Sequence, residues 1–206
     1  MDNAYLVVGL GNPGPAYARH RHNAGFMLVD RLAQAWQANW AFDQAFSARL
    51  ARARVQGRPV ILCQPQTFMN ASGQAVRPVL DYYRIGLDRL LVVVDDADLP
   101  FGELRLRPGG GTAGHHGLES VTQHLGTMQY PRLRIGIGRP PTEGREITGW
   151  VLSDFTPAEA QRLEKVLTRA SQQVECWVLE GIDAAMSRFN GPLPDEYPGN
   201  HVELRT

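Results

Sequence analysis

Residues 9–25, Gly9-Leu10-Gly11-Asn12-Pro13-Gly14-Pro15-Ala16-Tyr17-Ala18-Arg19-His20-Arg21-His22-Asn23-Ala24-Gly25, decide how this chain is read. They follow Tyr5-Leu6-Val7-Val8, a continuous apolar run that predicts a buried strand closed by glycine. The segment itself has little apolar content. Asn12, Asn23, His20, His22, Tyr17, Arg19 and Arg21 crowd into it instead. Polar groups gathered at the end of a strand serve ligands, because loops on a rigid sheet are where sites are built. Gly9, Gly11 and Gly14 also fit GxGxxG, and Asp30 lies near the place of a ribose-binding carboxylate. A dinucleotide fingerprint, however, starts its helix inside the motif so that helix amides face the pyrophosphate. Pro13 and Pro15 impose turns there, and amphipathic periodicity begins only after Asn23. The segment is therefore read as a polar site loop and not as a nicotinamide site.

The chain has 206 residues, a 43% hydrophobic fraction and 21 glycines, which suit one loop-rich α/β domain. No run approaches the roughly 18 apolar residues of a membrane span. The first residues lack the basic and long apolar regions of a signal peptide, so a cytoplasmic location is expected. Cys63 and Cys176 sit in apolar surroundings without ligand spacing and are expected to be reduced core thiols. The net charge is zero, but residues 1–152 carry 16 basic and 12 acidic groups while residues 153–206 carry 5 and 9. That asymmetry permits a basic face for an anionic partner.

Along the chain, Asn23 is placed to cap a helix reaching about Gln37, with Phe26, Val29, Leu32, Ala33 and Trp36 on its apolar face. Ala48–Val55 and Pro59–Cys63 read as strands around a turn at Gln56-Gly57. A second polar loop, Gln64–Ser72, leads into a helix ending near Tyr83-Arg84, which Pro78 should kink or start. Leu90–Val94 is a buried strand that runs into Asp95-Asp96-Ala97-Asp98. Leu104–Arg107 and Leu133–Ile137 are further strands, and the glycine-rich Gly109–Gly117 precedes a helix to about Leu125. Thr156 or Ser153 starts the first of two C-terminal helices, interrupted at Gly181. Residues 1–190 are expected to form a single domain with three layers and a mixed, mostly parallel sheet. Residues 191–206, with Pro192, Pro194 and Pro198, are expected to form an extended or disordered tail.

Three polar clusters follow three strands: Asn12/Tyr17/His22, Met69/Asn70, and Asp95 onward. A fourth, His115/His116, opens a helix. Open α/β sheets bind ligands beyond the carboxyl ends of their strands, so the four can meet in one crevice. A His and an Asp there suffice to activate water: the imidazole takes the proton and the carboxylate fixes the ring tautomer. Taken singly, each cluster also has a structural reading. His20-x-His22 could be solvated, Asp95–Asp98 could form an Asx-turn, Asn70 could cap a helix, and the alternating Arg105, Arg107, Arg132, Arg134 and Arg139 could be a polar face. No GxSxG is present, and neither cysteine lies near a cluster. A metal site built from His20, His22, His115, His116, Asp95 and Asp98 is the chemical competitor, though neither histidine pair has helical i, i+4 spacing.

Three blocks, GLGNPGPAYARHRHNAG, QPQTFMNASGQAV and VDDADLPFGELRLRPGGGTAGHHG, resemble in order and spacing the signature blocks of bacterial peptidyl-tRNA hydrolase. RLRIGIGRP and GWVLSDF resemble its later blocks, so the similarity runs from about Leu6 to Asn190. The resemblance implies a single α/β domain that cleaves the ester between a peptide and the 3′ end of tRNA, without metal or cofactor. By motif position it implies that His22 is the general base, that Asp95 orients it, and that Asn12 tells a blocked α-amino group from a free one. It implies substrate contacts from Tyr17, Phe68, Met69 and Asn70, with His115 and His116 beside them, and tRNA contacts from Arg107, Arg134 and Arg145. Two positions depart from the family. His20 stands where Thr is usual, at the periphery, and His116 stands where an Asn places water and contacts substrate.

The chemistry suits that reading. An ester has a better leaving group than an amide, so water, one base and oxyanion donors can suffice. Acceptor-arm phosphates call for arginine, and a terminal adenosine can stack on an aromatic ring. The expected partner is thus peptidyl-tRNA, met by a monomer with no membrane role. The alternatives are a non-catalytic RNA-binding adaptor on the same fold and a metal-dependent hydrolase; retention of His22, Asp95, Asn12 and Asn70 favours the enzyme.

Overall fold

The structure is a computed structural model that describes residues 3–140 and 146–194. Its frame is a seven-stranded sheet in the order β2-β3-β4-β1-β5-β7-β6. The strands are β1 (Tyr5–Gly9), β2 (Trp40–Asp43), β3 (Ala48–Val55), β4 (Arg58–Pro65), β5 (Leu90–Asp96), β6 (Leu104–Arg107) and β7 (Arg132–Gly136). The sheet is mixed, as the sequence predicts, but parallel and antiparallel pairings are equal in number, so it is parallel only at its centre and not mostly so. The parallel pairings β4–β1, β1–β5 and β5–β7 form the centre. Antiparallel β2–β3–β4 and β7–β6 pairings extend both sides. The β3–β4 hairpin turns at Gln56-Gly57, both with positive φ (46° and 86°), the geometry of a tight two-residue turn.

Strand alternation assigns each face its helices. Val7, Leu91 and Val93 face a core with α1 (Ala24–Ala35), α5 (Pro157–Glu180) and α6 (Ile182–Phe189). Leu6, Val8, Leu90, Val92 and Val94 face the other core, with α2 (Ser72–Tyr83) and α3 (His116–Leu125). A short helix, α4 (Ile147–Val151), follows the segment 141–145. This is the three-layer arrangement that alternating strands and helices predict. Among the described residues no helix is long and apolar enough to cross a membrane.

The crossing of β1 and α1 explains two glycines of the opening segment. A Cβ on Gly25 would lie 2.4 Å from the Val93 carbonyl oxygen and 2.5 Å from the Leu10 nitrogen, and one on Gly9 would lie 2.2 Å from the Gly25 oxygen. Backbone approaches backbone here, so only glycine fits. These glycines therefore serve helix–strand packing, and the helix begins well after the GxGxxG.

Several expectations need correction in detail. Asn23 sits at the N-cap position of α1, but its side chain makes no cap bond and ties to Asn12 instead. Pro78 lies inside α2, which starts at Ser72. Thr156 starts α5 with a capping box, its hydroxyl accepting from the Glu159 N–H while the Glu159 carboxylate accepts from the Thr156 N–H. Gly191 and Leu193 belong to the packed structure and not to a tail. Gly191 bridges to Leu104, and Leu193 is buried in the core. Residues 195–206 of the expected tail lie outside the described residues.

The loop carrying His22 is anchored by Arg21, which is only 2% exposed. Its guanidinium donates to both Glu159 carboxylate oxygens at 3.1 and 2.9 Å, and it lies 3.8 Å from the Trp150 ring centroid and 4.8 Å from that of Phe155. The Arg21 N–H also donates to the Ser153 carbonyl at 3.0 Å. Glu159→Gln keeps a capping side chain but leaves a buried cation without its counter-charge, and is expected to cost about 3 kcal/mol. Arg19→Ala, which breaks an exposed 2.9 Å pair with Asp154, should change stability by less than about 1 kcal/mol. Thermal or urea unfolding of the two variants measures the difference, and equal losses would show that Arg21 is not the anchor.

Candidate active site

Asp95 ends the central strand β5 with its carboxylate almost wholly buried, the side chain 2% exposed. A carboxylate in such a place needs strong donors. Two imidazoles supply them, both to Oδ1: His22 through Nδ1 at 2.8 Å and His115 through Nε2 at 3.2 Å. Burial raises the Asp95 pKa, but the His22 and His115 partners outweigh it and hold the carboxyl well below the usual range.

The hydrogen bonds fix both tautomers. An ionised carboxylate only accepts, so His22 carries its proton on Nδ1 and keeps a lone pair on Nε2. His115 is the N-cap of α3, where its Nδ1 accepts from the Leu118 N–H at 3.2 Å. Its proton is therefore on Nε2, pointing at Asp95. His22, Asp95 and His115 are also the group whose ligand atoms lie close enough, within 4.8 Å, to suggest a metal. The donor set fits poorly, because a protonated Nε2 cannot ligate and moving that proton to Nδ1 would set it against the Leu118 N–H.

Asn12 is held as firmly. Its Oδ1 accepts from the Met69 N–H at 2.9 Å, which leaves the Nδ2 amide as the group available to a ligand. Its backbone is clamped at both ends by Asn23, whose Oδ1 accepts from the Asn12 N–H and whose Nδ2 donates to the Asn12 carbonyl, both at 2.9 Å. The end of β1 and the turn after β4 are thus locked together through two carboxamides.

These groups line one cavity of about 420 Å³. Of the residues singled out from the sequence, it brings together Asn12, His22, Phe68, Met69, Asn70, Asp95, His115, His116 and Arg134. Asn70 is not a helix cap, since α2 is preceded by Ala71. Phe68 is 61% exposed at the rim, while Met69 is buried under it. A Cβ on Gly117 would lie 2.5 Å from Met69 Sδ, which explains the glycine after His116. His116 is 75% exposed, with Nδ1 3.0 Å from Glu119 Oε2.

Two expected site residues, Tyr17 and Arg107, do not line the crevice. Tyr17 does not line it; its ring packs edge-on against His20, with centroids 5.4 Å apart. It ends the short 3-10 turn Pro15–Tyr17. Arg107 is exposed on the outer strand β6, opposite Arg132 across the ladder. Arg145 lies outside the described residues. Arg134 is at the wall but already engaged, donating to Asp96 Oδ2 at 3.1 Å and to the Gly111 carbonyl at 2.5 Å.

One wall of the cavity carries no periodic signal in the sequence. Ile147, Thr148, Val151 and Leu152 from α4 face the cavity, and a five-residue helix is too short for periodicity to declare it. The supporting roles of Arg21 and Asn23 are likewise invisible to local pattern, because their partners lie 138 and 11 residues away.

A buried His–carboxylate pair beside an open cavity, at the carboxyl end of a parallel sheet centre, defines an α/β protein equipped for proton-transfer chemistry on a bound ligand. The family model described as peptidyl-tRNA hydrolase matches residues 6–196. A protein named peptidyl-tRNA hydrolase from a Synechococcus strain is 48% identical over 96% of this chain and 88% of its own length. Another from Gloeobacter violaceus is 47% identical over 92% of this chain and 98% of its own. The crystal structure of peptidyl-tRNA hydrolase from Acinetobacter baumannii superposes with a TM-score of 0.85 at 37% identity, covering 92% of this chain and 96% of that one. This chain belongs to the peptidyl-tRNA hydrolase family.

Asp95 also links the site to stability. Its folded pKa is depressed below the unfolded value of about 3.9. It therefore contributes stability that is present above about pH 4 and is lost as pH falls toward the folded value. Asp95→Asn should accordingly show a shallower fall of Tm than wild type between about pH 4 and pH 2. Parallel curves would mean that the carboxylate gains nothing from its two histidines.

Proposed function

We propose that this protein hydrolyses the ester joining a peptide to the 3′ end of tRNA, with water activated by His22. The observation that carries the reading is the 2.8 Å contact between His22 Nδ1 and the buried Asp95. It leaves Nε2 free to act as a base, at the wall of a cavity of about 420 Å³.

The proposed steps use these groups in turn. Water attacks the ester carbonyl carbon as His22 Nε2 takes its proton, and Asp95 stabilises the imidazolium that forms. The tetrahedral intermediate collapses with cleavage of the carbon–oxygen bond to the ribose. His22 returns the proton to that oxygen, releasing peptide carboxylate and tRNA. The Asn12 Nδ2 amide is a fixed donor in the same cavity. It suits the carbonyl oxygen of an N-acylated residue and disfavours a free ammonium group, which is the discrimination that peptidyl-tRNA hydrolysis needs. Asn70 supplies a second carboxamide, His116 borders the α3 end of the cavity, and exposed Phe68 offers a face on which the terminal base can stack. Arg107, exposed on the outer strand, is a candidate for phosphate contact, with Arg145, outside the described residues, as a further one. Arg134 supports the Gly109–Gly114 loop and reaches phosphate only with the donors its internal bonds leave.

His22→Ala should abolish turnover with little loss of tRNA affinity, because it removes proton acceptance and no phosphate contact. Asp95→Asn should lower turnover by about two orders of magnitude or more, through the wrong tautomer and an unstabilised imidazolium. Both are read by release of an N-blocked aminoacyl group from tRNA, and EDTA should leave the wild-type rate unchanged. Near-normal hydrolysis by the His22 variant would sink the assignment, and loss of activity in chelator would favour a metal mechanism.

Arg107→Ala should raise KM for full-length substrate and reduce the salt slope by about one, with little effect on a substrate carrying only the terminal nucleotide. Equal losses on both substrates would place Arg107 in the structure and not on the tRNA.

A further inference from the structure

Asp95 serves two imidazoles with one oxygen, and the second has no part in the steps above. His115 cannot be an idle neighbour, because the Leu118 N–H occupies its Nδ1 and so makes Nε2 an obligatory donor to Asp95. The rings of His115 and His22 are in contact, with centroids 4.9 Å apart. We propose that His115 is a positioning residue: by donating to the oxygen that orients His22, it tempers the carboxylate's hold on the His22 imidazolium and keeps the base free at lower pH. This rests on His22 being the base.

The physical basis is competition for one acceptor. A carboxylate oxygen with a single imidazole donor stabilises the charged form of that imidazole strongly. A second N–H donor draws on the same lone-pair density and lessens the stabilisation. His115 also holds Oδ1 toward His22, which limits rotation of the carboxylate. Other charged groups facing the cavity have their own partners. Asp96 is bonded to Arg134, Asp98 to Arg139, and His116 to Glu119. On the His22 loop, Arg21 is bonded to Glu159 and Arg19 to Asp154, with His20 Nε2 3.9 Å from Asp154. The turn after β4 contributes the uncharged Met69 and Asn70. Within this set, His115 is the group that acts on the Asp95 oxygen shared with His22.

The test is His115→Asn. Asn is among the best N-cap residues, so it can accept from the Leu118 N–H and keep α3 capped. Its carboxamide is shorter than the imidazole and lacks the Nε2 donor. The readout is kcat/KM against pH for an N-blocked aminoacyl ester of the terminal nucleotide, which excludes tRNA phosphate contacts. His116 is present in both proteins and so does not distinguish them. The acid limb of the variant is expected to move up by about one pH unit, with Tm close to wild type. A superimposable limb, or one displaced to lower pH, overturns the proposal.

Should the variant fail to fold, nitrogen-15 spectra of the wild-type imidazoles decide the point. His115 protonated at Nε2 and bare at Nδ1 is the expected result, and the opposite tautomer overturns the proposal. Failure here is separable from failure of the function: an inactive His22→Ala with an unmoved His115→Asn limb rejects only the role of His115. An active His22→Ala rejects the base itself.

Discussion

A carboxylate buried at the end of a central strand is the constraint on which the rest of this structure depends. Asp95 is costly to bury unless charged donors or N–H groups meet it. The donors come from opposite directions in the chain, His22 from the loop after β1 and His115 from the first residue before α3. Meeting that single requirement brings two otherwise unrelated loops to the same place. It also leaves His22 with one nitrogen spoken for and the other open. The proposed catalytic arrangement and the electrostatic solution for Asp95 are therefore the same set of hydrogen bonds.

Precision at His22 requires that its loop not move, and the surrounding structure provides this from both sides. On one side Arg21 is buried between Trp150 and Phe155 and bonded to Glu159 at the start of α5. On the other, Asn23 clamps Asn12, which in turn receives the Met69 N–H. His22 lies between these two anchors in sequence. Glycine at positions 9 and 25 lets α1 approach β1 closely enough for the loop to close. The Arg21 anchor also reaches the α4 region, so the element bearing one cavity wall and the loop bearing His22 are fixed to each other.

Much of this was legible in the residues. Apolar runs located β1 and β5, the switch to polar composition located the site loops, and the three long motif blocks carried the family. Thr156 announced α5 by its capping chemistry. Other features were hidden because they depend on contacts distant in sequence. Trp40–Asp43 is too short to show alternation as a strand, and its pairing with β3 defines it. Asn23 looks like a helix cap locally, yet its carboxamide is better used on Asn12, where it satisfies an N–H and a carbonyl together. Arg134 reads as a free cation in sequence but is drawn inward by Asp96 and the Gly111 carbonyl. Tyr17 shares a loop with His22 but faces His20. In each case the local pattern gave the residue's chemistry, and packing chose its partner.

The central claim is that His22 acts on water as a base held by Asp95 and does not attack the ester itself. Single-turnover cleavage followed in H2O and D2O, on the pH plateau and with rapid acid quenching, tests it most directly. A slower chemical step in D2O, and no peptide covalently attached to the protein at any quench time, are expected. A peptide trapped on the His22 imidazole, identified by mass spectrometry and formed at the rate of turnover, would contradict it.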